Sequence, residues 1–517
     1  MSNLKKARLP LALLTVFWTV LPCFADVKLP ALLSDHMVLQ REKPVPIWGT
    51  AEPGEKIIVA IAGQTHETQA DDQGKWRVAL TPLSVGEPLT LVVEGNNRLE
   101  VKNILVGEVW ICSGQSNMQW SLSASKDADL ELLTAKNPQI RLLTVNPLGT
   151  QTPQEDFEGQ WQACTPEIAK DFSGVGYFFG ELLQETLNVP VGLIDNAWGG
   201  SACEAWIRRD LLEADPIYQP LMERWKATEA RYDSGEAKAE YDKAIADWEQ
   251  NKKEGKDPGR RPASPDGAMT GNHRPANIYN SRIVPLVPYA IRGAIWYQGE
   301  SNAARAYQYR EMFPLMIQNW RDVWGQGDFP FYWVQLADFK AENPEPVESD
   351  WAELREAQTM TLDRLTNTGQ AVITDIGEGN DIHPVNKLDV GRRLARWALA
   401  RDYAVEVACE SPRFESMAPT DGKLTVTFRS CGSGLHVFDH SEIKGFAIAG
   451  EDKKWVWAEA KLISPTQVEV WSESVPAPVA VRYAWADNPV CNLMSKERLP
   501  VTPFRSDDWP GVTAEAR

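Results

Sequence analysis

Ser116 stands in the run Val106-Gly-Glu-Val-Trp-Ile-Cys-Ser-Gly-Gln-Ser-Asn-Met-Gln-Trp120. The first half of the run is rich in β-branched and aromatic residues, as a buried strand is, and it breaks at Ser113-Gly114 into small polar residues. A strand that ends on such a turn can lift one hydroxyl clear of the sheet edge. To attack a carbonyl, that hydroxyl needs a base to take its proton and N–H donors to hold the oxyanion. Only six histidines are present, so the search for the base is short. His36, His66, His436 and His440 fall in β-rich stretches, and His273 follows a Pro- and Gly-rich segment. His383 sits between an expected strand and an expected helix, in Asp375-Ile-Gly-Glu-Gly-Asn-Asp-Ile-His-Pro384.

Two more expected strand ends carry donors. Asn196-Ala-Trp-Gly-Gly-Ser201 offers backbone N–H groups that glycine lets approach a ligand closely. Trp296-Tyr-Gln-Gly-Glu-Ser-Asn302 offers the amides of Gln298 and Asn302. In an open α/β sheet, ligands bind outside the carboxyl ends of the strands. Four small polar loops at four such ends therefore belong to one site.

The elements that position these loops follow from the texture of the chain. From 26 to 105, short alternating runs such as Lys56–Ile61, Lys75–Leu80 and Leu89–Glu94 are separated by Gly and Asn turns, which predicts a β-sandwich. From 106 to about 405, strands near 189–195, 290–296, 331–335 and 370–375 alternate with helices near 177–187, 309–324 and 388–400. That alternation predicts an α/β fold with a parallel sheet covered on both faces. A charged helical hairpin with a Pro- and Gly-rich exit is inserted at about 221–270. Its stripe of Tyr241, Ile245 and Trp248 reads as packing. From 406 to 517 the chain is again strand-like and turn-rich, a second β-rich part.

Composition narrows the chemistry. A length of 517 residues and a net charge of −18 describe a multidomain chain without the basic footprint of a nucleic-acid binder. Residues 1–25 read as a signal peptide, with Lys5, Lys6 and Arg8 before an apolar run and Cys23-Phe-Ala25 at the cleavage spacing. No second run is long enough to span a bilayer, so the expected product is secreted or periplasmic, without a membrane partner. Six cysteines follow the signal in no metal-binding spacing, and no metal or other cofactor is expected. They read as mostly buried free thiols, with room for one bridge among Cys409, Cys431 and Cys491.

The strings Gly-Gln-Ser-Asn-Met118, Trp-Gly-Gly-Ser201, Ile-Trp-Tyr-Gln-Gly-Glu-Ser-Asn302 and Asn-Asp-Ile-His-Pro384 together resemble the sialate O-acetylesterase family of the SGNH hydrolases. The resemblance extends to Trp351–Gln358, Ala480–Pro489 and Leu499–Arg505. It implies a flavodoxin-like hydrolase core that removes acetyl esters from sugars, with Ser116 as nucleophile and His383 as base. Ser116, Gly200 or its neighbour Gly199, and Gln298 would be the oxyanion donors. The Gly-x-Ser-x-Gly elbow of α/β-hydrolases is absent, since Met118 stands at its second glycine.

The superfamily's triad Asp lies three residues before the His, where this chain has Asn380, with Asp381 next to it. Asp381, Asp375 or a backbone carbonyl could orient the imidazole, or Ser116 and His383 could act as a dyad. Trp198, Glu300, Asn302 and Arg355 are candidate substrate contacts. Arg355 or Arg292 would suit a sialic-acid carboxylate; both also have structural readings. An acetylated carbohydrate is the expected substrate, with sialic acids ahead of neutral polysaccharides of the acetyl xylan kind. A noncatalytic carbohydrate-binding protein is the reading from another class.

Overall fold

The computed structural model describes residues 26–439 and 441–516, so the expected signal peptide lies outside the described residues. Its centre is a mixed sheet around the long strand Arg98–Gly114. The spatial order is Thr368–Ala371, Phe331–Val334, Gly293–Tyr297, Arg98–Gly114, Val191–Asp195, Asn137–Thr144 and Gln162–Cys164. All neighbours in that series are parallel except the last, edge strand.

Each central strand is buried on both faces, so alternate residues enter different cores. Ala294 and Trp296 join a cluster with Phe331, Trp333 and residues of helix Ala306–Trp324. Ile295 and Tyr297 join another with Tyr332, Val334 and residues of helices Gly174–Leu187 and Lys387–Asp402. The expected strands and helices of this region recur with ends shifted by a few residues.

The chain crosses from one side of Arg98–Gly114 to the other between Val191–Asp195 and Gly293–Tyr297. That reversal opens a crevice at the carboxyl end of the long strand, where Ser116 begins the short helix Ser116–Gln119.

The same long strand pairs antiparallel with Leu89–Glu94, which pairs with Lys56–Ile61. The change of texture near 105 therefore falls inside a single strand. At the other end, two four-stranded antiparallel sheets enclose a third core that includes Val426, Ile448, Val468 and Val481. The insertion forms helices Gln219–Asp233 and Glu236–Lys253, the second with no buried residue. Its Tyr241, Ile245 and Trp248 are half-buried, and Trp248 donates its indole N–H to the Gly259 carbonyl.

Cys112, Cys164, Cys203 and Cys431 are buried, Cys409 and Cys491 half-buried, and all six are unpaired. The bridge expected among the last three is thus not formed. Among the described residues, no helix is long and apolar enough to cross a membrane.

Candidate active site

His383 Nε2 lies 2.8 Å from Ser116 Oγ, across 267 residues of chain. The loop that carries the histidine follows strand Thr368–Ala371 and is closed by a turn in which Asp381 N–H donates to the Glu378 carbonyl. The Trp120 ring stacks on the imidazole at 5.1 Å and 15° and restrains its rotation. Burial first, and then the Lys387 ammonium, hold the His383 pKa below the ordinary imidazole value; Asp381 pulls the other way. A base must be neutral to accept a proton, so the acid limb of kcat/KM is expected below about pH 6.5. A pH profile of turnover checks this, and an acid limb above that value would contradict it.

Asp381 is held beside the histidine by the backbone. Its Oδ1 accepts the His383 N–H at 2.8 Å and lies 3.5 Å from Nδ1, with half of the carboxylate side chain exposed. Asp375 is engaged elsewhere, in a two-pronged pair with Arg393 at 2.6 Å.

Beneath Ser116 a buried polar cluster joins the turn to its neighbours. Asn117 donates to Glu300 Oε1 at 2.7 Å and to the Ile382 carbonyl at 2.9 Å, and accepts from Lys387 Nζ at 2.6 Å. The turn that carries Ser116 is thereby tied directly to Ile382, the residue before His383. Burial pushes the Lys387 ammonium down to about 7 and raises the Glu300 carboxyl. On the other flank, Gln115 accepts from the Gly299 N–H and so seats the turn against the 298–302 loop.

The Gly199–Gly200 loop packs against Ser116. A Cβ on Gly199 would come within 3.5 Å of Ser116 Cβ, and Gly200 takes a φ of +72°, which favours glycine. Its amides can be accounted for one by one. Trp198 N–H donates to the Gly114 carbonyl, Gly199 N–H to Gln119 Oε1, Ser201 N–H to the Trp198 carbonyl and Ala202 N–H to the Asn272 carbonyl. Among the described residues, Gly200 N–H has no such partner, which leaves it as the loop's available donor.

Four expected site residues are turned inward instead. Gln298 is fully buried and donates both amide hydrogens, to the Ser201 carbonyl and to Asn302 Oδ1, so none remains for an oxyanion. Asn302 accepts from the Cys203 N–H and donates to Glu204. Glu300 faces Asn117 rather than the crevice. Arg355 is fully buried and donates to the carbonyls of Leu336, Ala337, Ala486 and Asp487, which ties the C-terminal part to the central one. Arg292 is likewise committed, to Glu108. Trp198 is half-buried, with Arg282 5.7 Å from its ring.

Replacing Arg355 by Leu would orphan the buried carbonyls of Leu336 and Ala486, while those of Ala337 and Asp487 would keep the Trp351 indole N–H and the Phe339 N–H as donors. The expected cost is about 3 kcal/mol or more of stability, read as a lower denaturation midpoint, with turnover by the folded fraction unchanged. Lost turnover without lost stability would return Arg355 to the site.

Residues 106–253 and 274–399 match the model of a family described as "Carbohydrate esterase, sialic acid-specific acetylesterase". The chain belongs to this family. Similar proteins include the sialate O-acetylesterase of Mus musculus, 28% identical over 91% of this chain and 93% of that protein. The Homo sapiens sialate O-acetylesterase is 27% identical over 97% of each. A solved carbohydrate acetylesterase from Xanthomonas citri superposes with a TM-score of 0.79 at 38% identity, covering 93% of this chain and all of that one. The family match brackets Ser116, His383 and the glycine loop, and interrupts at 254–273.

Proposed function

We propose that the protein is a serine esterase that removes O-acetyl groups from sialic acids, on an SGNH-type core spanning 106–405. The β-rich parts 26–105 and 406–517 flank that core, and residues 1–25 direct the chain to a secreted or periplasmic location. The observation that carries the reading is the 2.8 Å contact of His383 Nε2 with Ser116 Oγ, in a chain of the carbohydrate esterase family.

The reaction runs in two steps. His383 takes the Ser116 proton as Oγ bonds to the acetyl carbonyl carbon, and the N–H groups of Gly200 and Ser116 hold the oxyanion. The intermediate collapses, the sugar oxygen leaves with the proton from His383, and acetyl-Ser116 remains. Water, deprotonated by the same imidazole, then releases acetate and restores the serine. Asp381 stabilises the imidazolium from the Nδ1 side.

A second reading, an esterase of neutral acetylated glycans, is favoured by the engagement of Arg355 and Arg292 in structural contacts, which leaves neither to hold a sialic-acid carboxylate. Acetate release from O-acetylated sialic acids and from acetylated neutral oligosaccharides, with Ser116→Ala as control, separates the two. Release from neither panel would overturn both and leave a noncatalytic carbohydrate-binding protein.

A further inference from the structure

The orientation of the Gly199–Gly200 peptide is set by the segment that returns from the inserted hairpin. Asn272 Nδ2 donates to the Gly199 carbonyl, and its own carbonyl accepts the Ala202 N–H at 3.2 Å. The next residue, His273, places Nε2 2.7 Å from the Gly200 carbonyl, which also accepts from Ser301 Oγ at 3.0 Å. The return segment is anchored in turn. Arg274 pairs with Glu229 of helix Gln219–Asp233 at 2.8 Å, Arg209 grips the same carboxylate, and buried Asn277 donates to the Met269 and Gly271 carbonyls.

In a trans peptide the C=O of one residue and the N–H of the next point in opposite directions. Asn272 on the Gly199 carbonyl therefore directs the Gly200 N–H away from itself. Without that donor, a peptide between two glycines can rotate at small steric cost, because neither flanking residue has a Cβ to oppose it.

We infer that Asn272, assisted by His273, is a positioning residue that holds the Gly199–Gly200 peptide in the orientation that presents the Gly200 N–H to the oxyanion. Both residues lie in the stretch the family match skips. The inference rests on the proposed esterase reading and gives the inserted hairpin a task in it, as the abutment of the oxyanion loop. Because the donor acts on charge that develops in the transition state, its loss appears in kcat rather than in KM.

The test uses the full chain and an aryl acetate. Asn272→Asp keeps the shape of the side chain but removes the donor to the Gly199 carbonyl. It is expected to lower kcat roughly tenfold to a hundredfold at nearly constant KM. Binding of a boronic acid that forms a tetrahedral adduct on the serine should weaken by a similar factor. A change in KM alone, or wild-type kcat and boronate affinity, would overturn the inference. Should the Asp variant fail to fold, Asn272→Ala removes the same donor to the Gly199 carbonyl without adding a charge and is expected to act in the same direction; wild-type rates there overturn it equally. Ser116→Ala in the same assay keeps the two levels apart, since undiminished acetate release by that variant would refute the esterase reading itself.

Discussion

Ser116→Ala and His383→Ala are each expected to lower kcat roughly a million-fold, the scale reached when the nucleophile or the base of a serine hydrolase is removed. The two side chains share one proton across a 2.8 Å contact, so either loss disables the same step. The double variant should consequently be little worse than either single one. Single-turnover assays with an acetyl ester read this directly, and additive losses would mean that the two residues do not act as a unit. Both variants should keep the wild-type fold, because the neighbouring turn is held by Asn117, Gln115 and Lys387 rather than by the reacting groups.

Asp381→Asn is expected to cost roughly a hundredfold in kcat. A triad carboxylate shielded from water is worth about ten thousandfold. Here the carboxylate is half exposed and 3.5 Å from Nδ1, where solvent screens the pair. The asparagine oxygen can still accept the His383 N–H, so the loop should keep its shape and only the charge is lost. Removing a negative neighbour disfavours the imidazolium, so the His383 pKa should fall further and the acid limb should move to lower pH. Undiminished kcat in this variant would assign a Ser116–His383 dyad, and a loss of about ten thousandfold would assign a full triad role.

The contact between Ser116 and His383 was legible because its signals are local. Ser116 follows a strongly apolar strand, and His383 is the histidine that the pattern places between an expected strand and an expected helix. The inward turn of Gln298, Asn302 and Arg355 was not legible. A polar residue at a strand end or within a helix reads the same whether it faces a ligand or a distant carbonyl, and their partners lie as far off as Ser201, Glu204 and Asp487. Trp120 escaped notice for a similar reason, since its stacking partner is far along the chain. Asn272 and His273 emerge from a Pro- and Gly-rich exit with no periodicity to place them, yet they reach a loop about seventy residues upstream.

The long strand Arg98–Gly114 behaves as a beam rooted in one layer and loaded at its far end in another. Its early residues pair with Leu89–Glu94, and its later ones with Val191–Asp195 and Gly293–Tyr297. A chain shortened to begin at 106 would therefore not release an intact catalytic module, but would saw through the support of its central strand. A one-residue insertion between 98 and 105 would meet a similar fate unless a bulge absorbed it, because slipping by one residue turns every side chain to the opposite face. The address of the serine in the crevice is thus written in hydrogen bonds laid down well before the sheet that bears it.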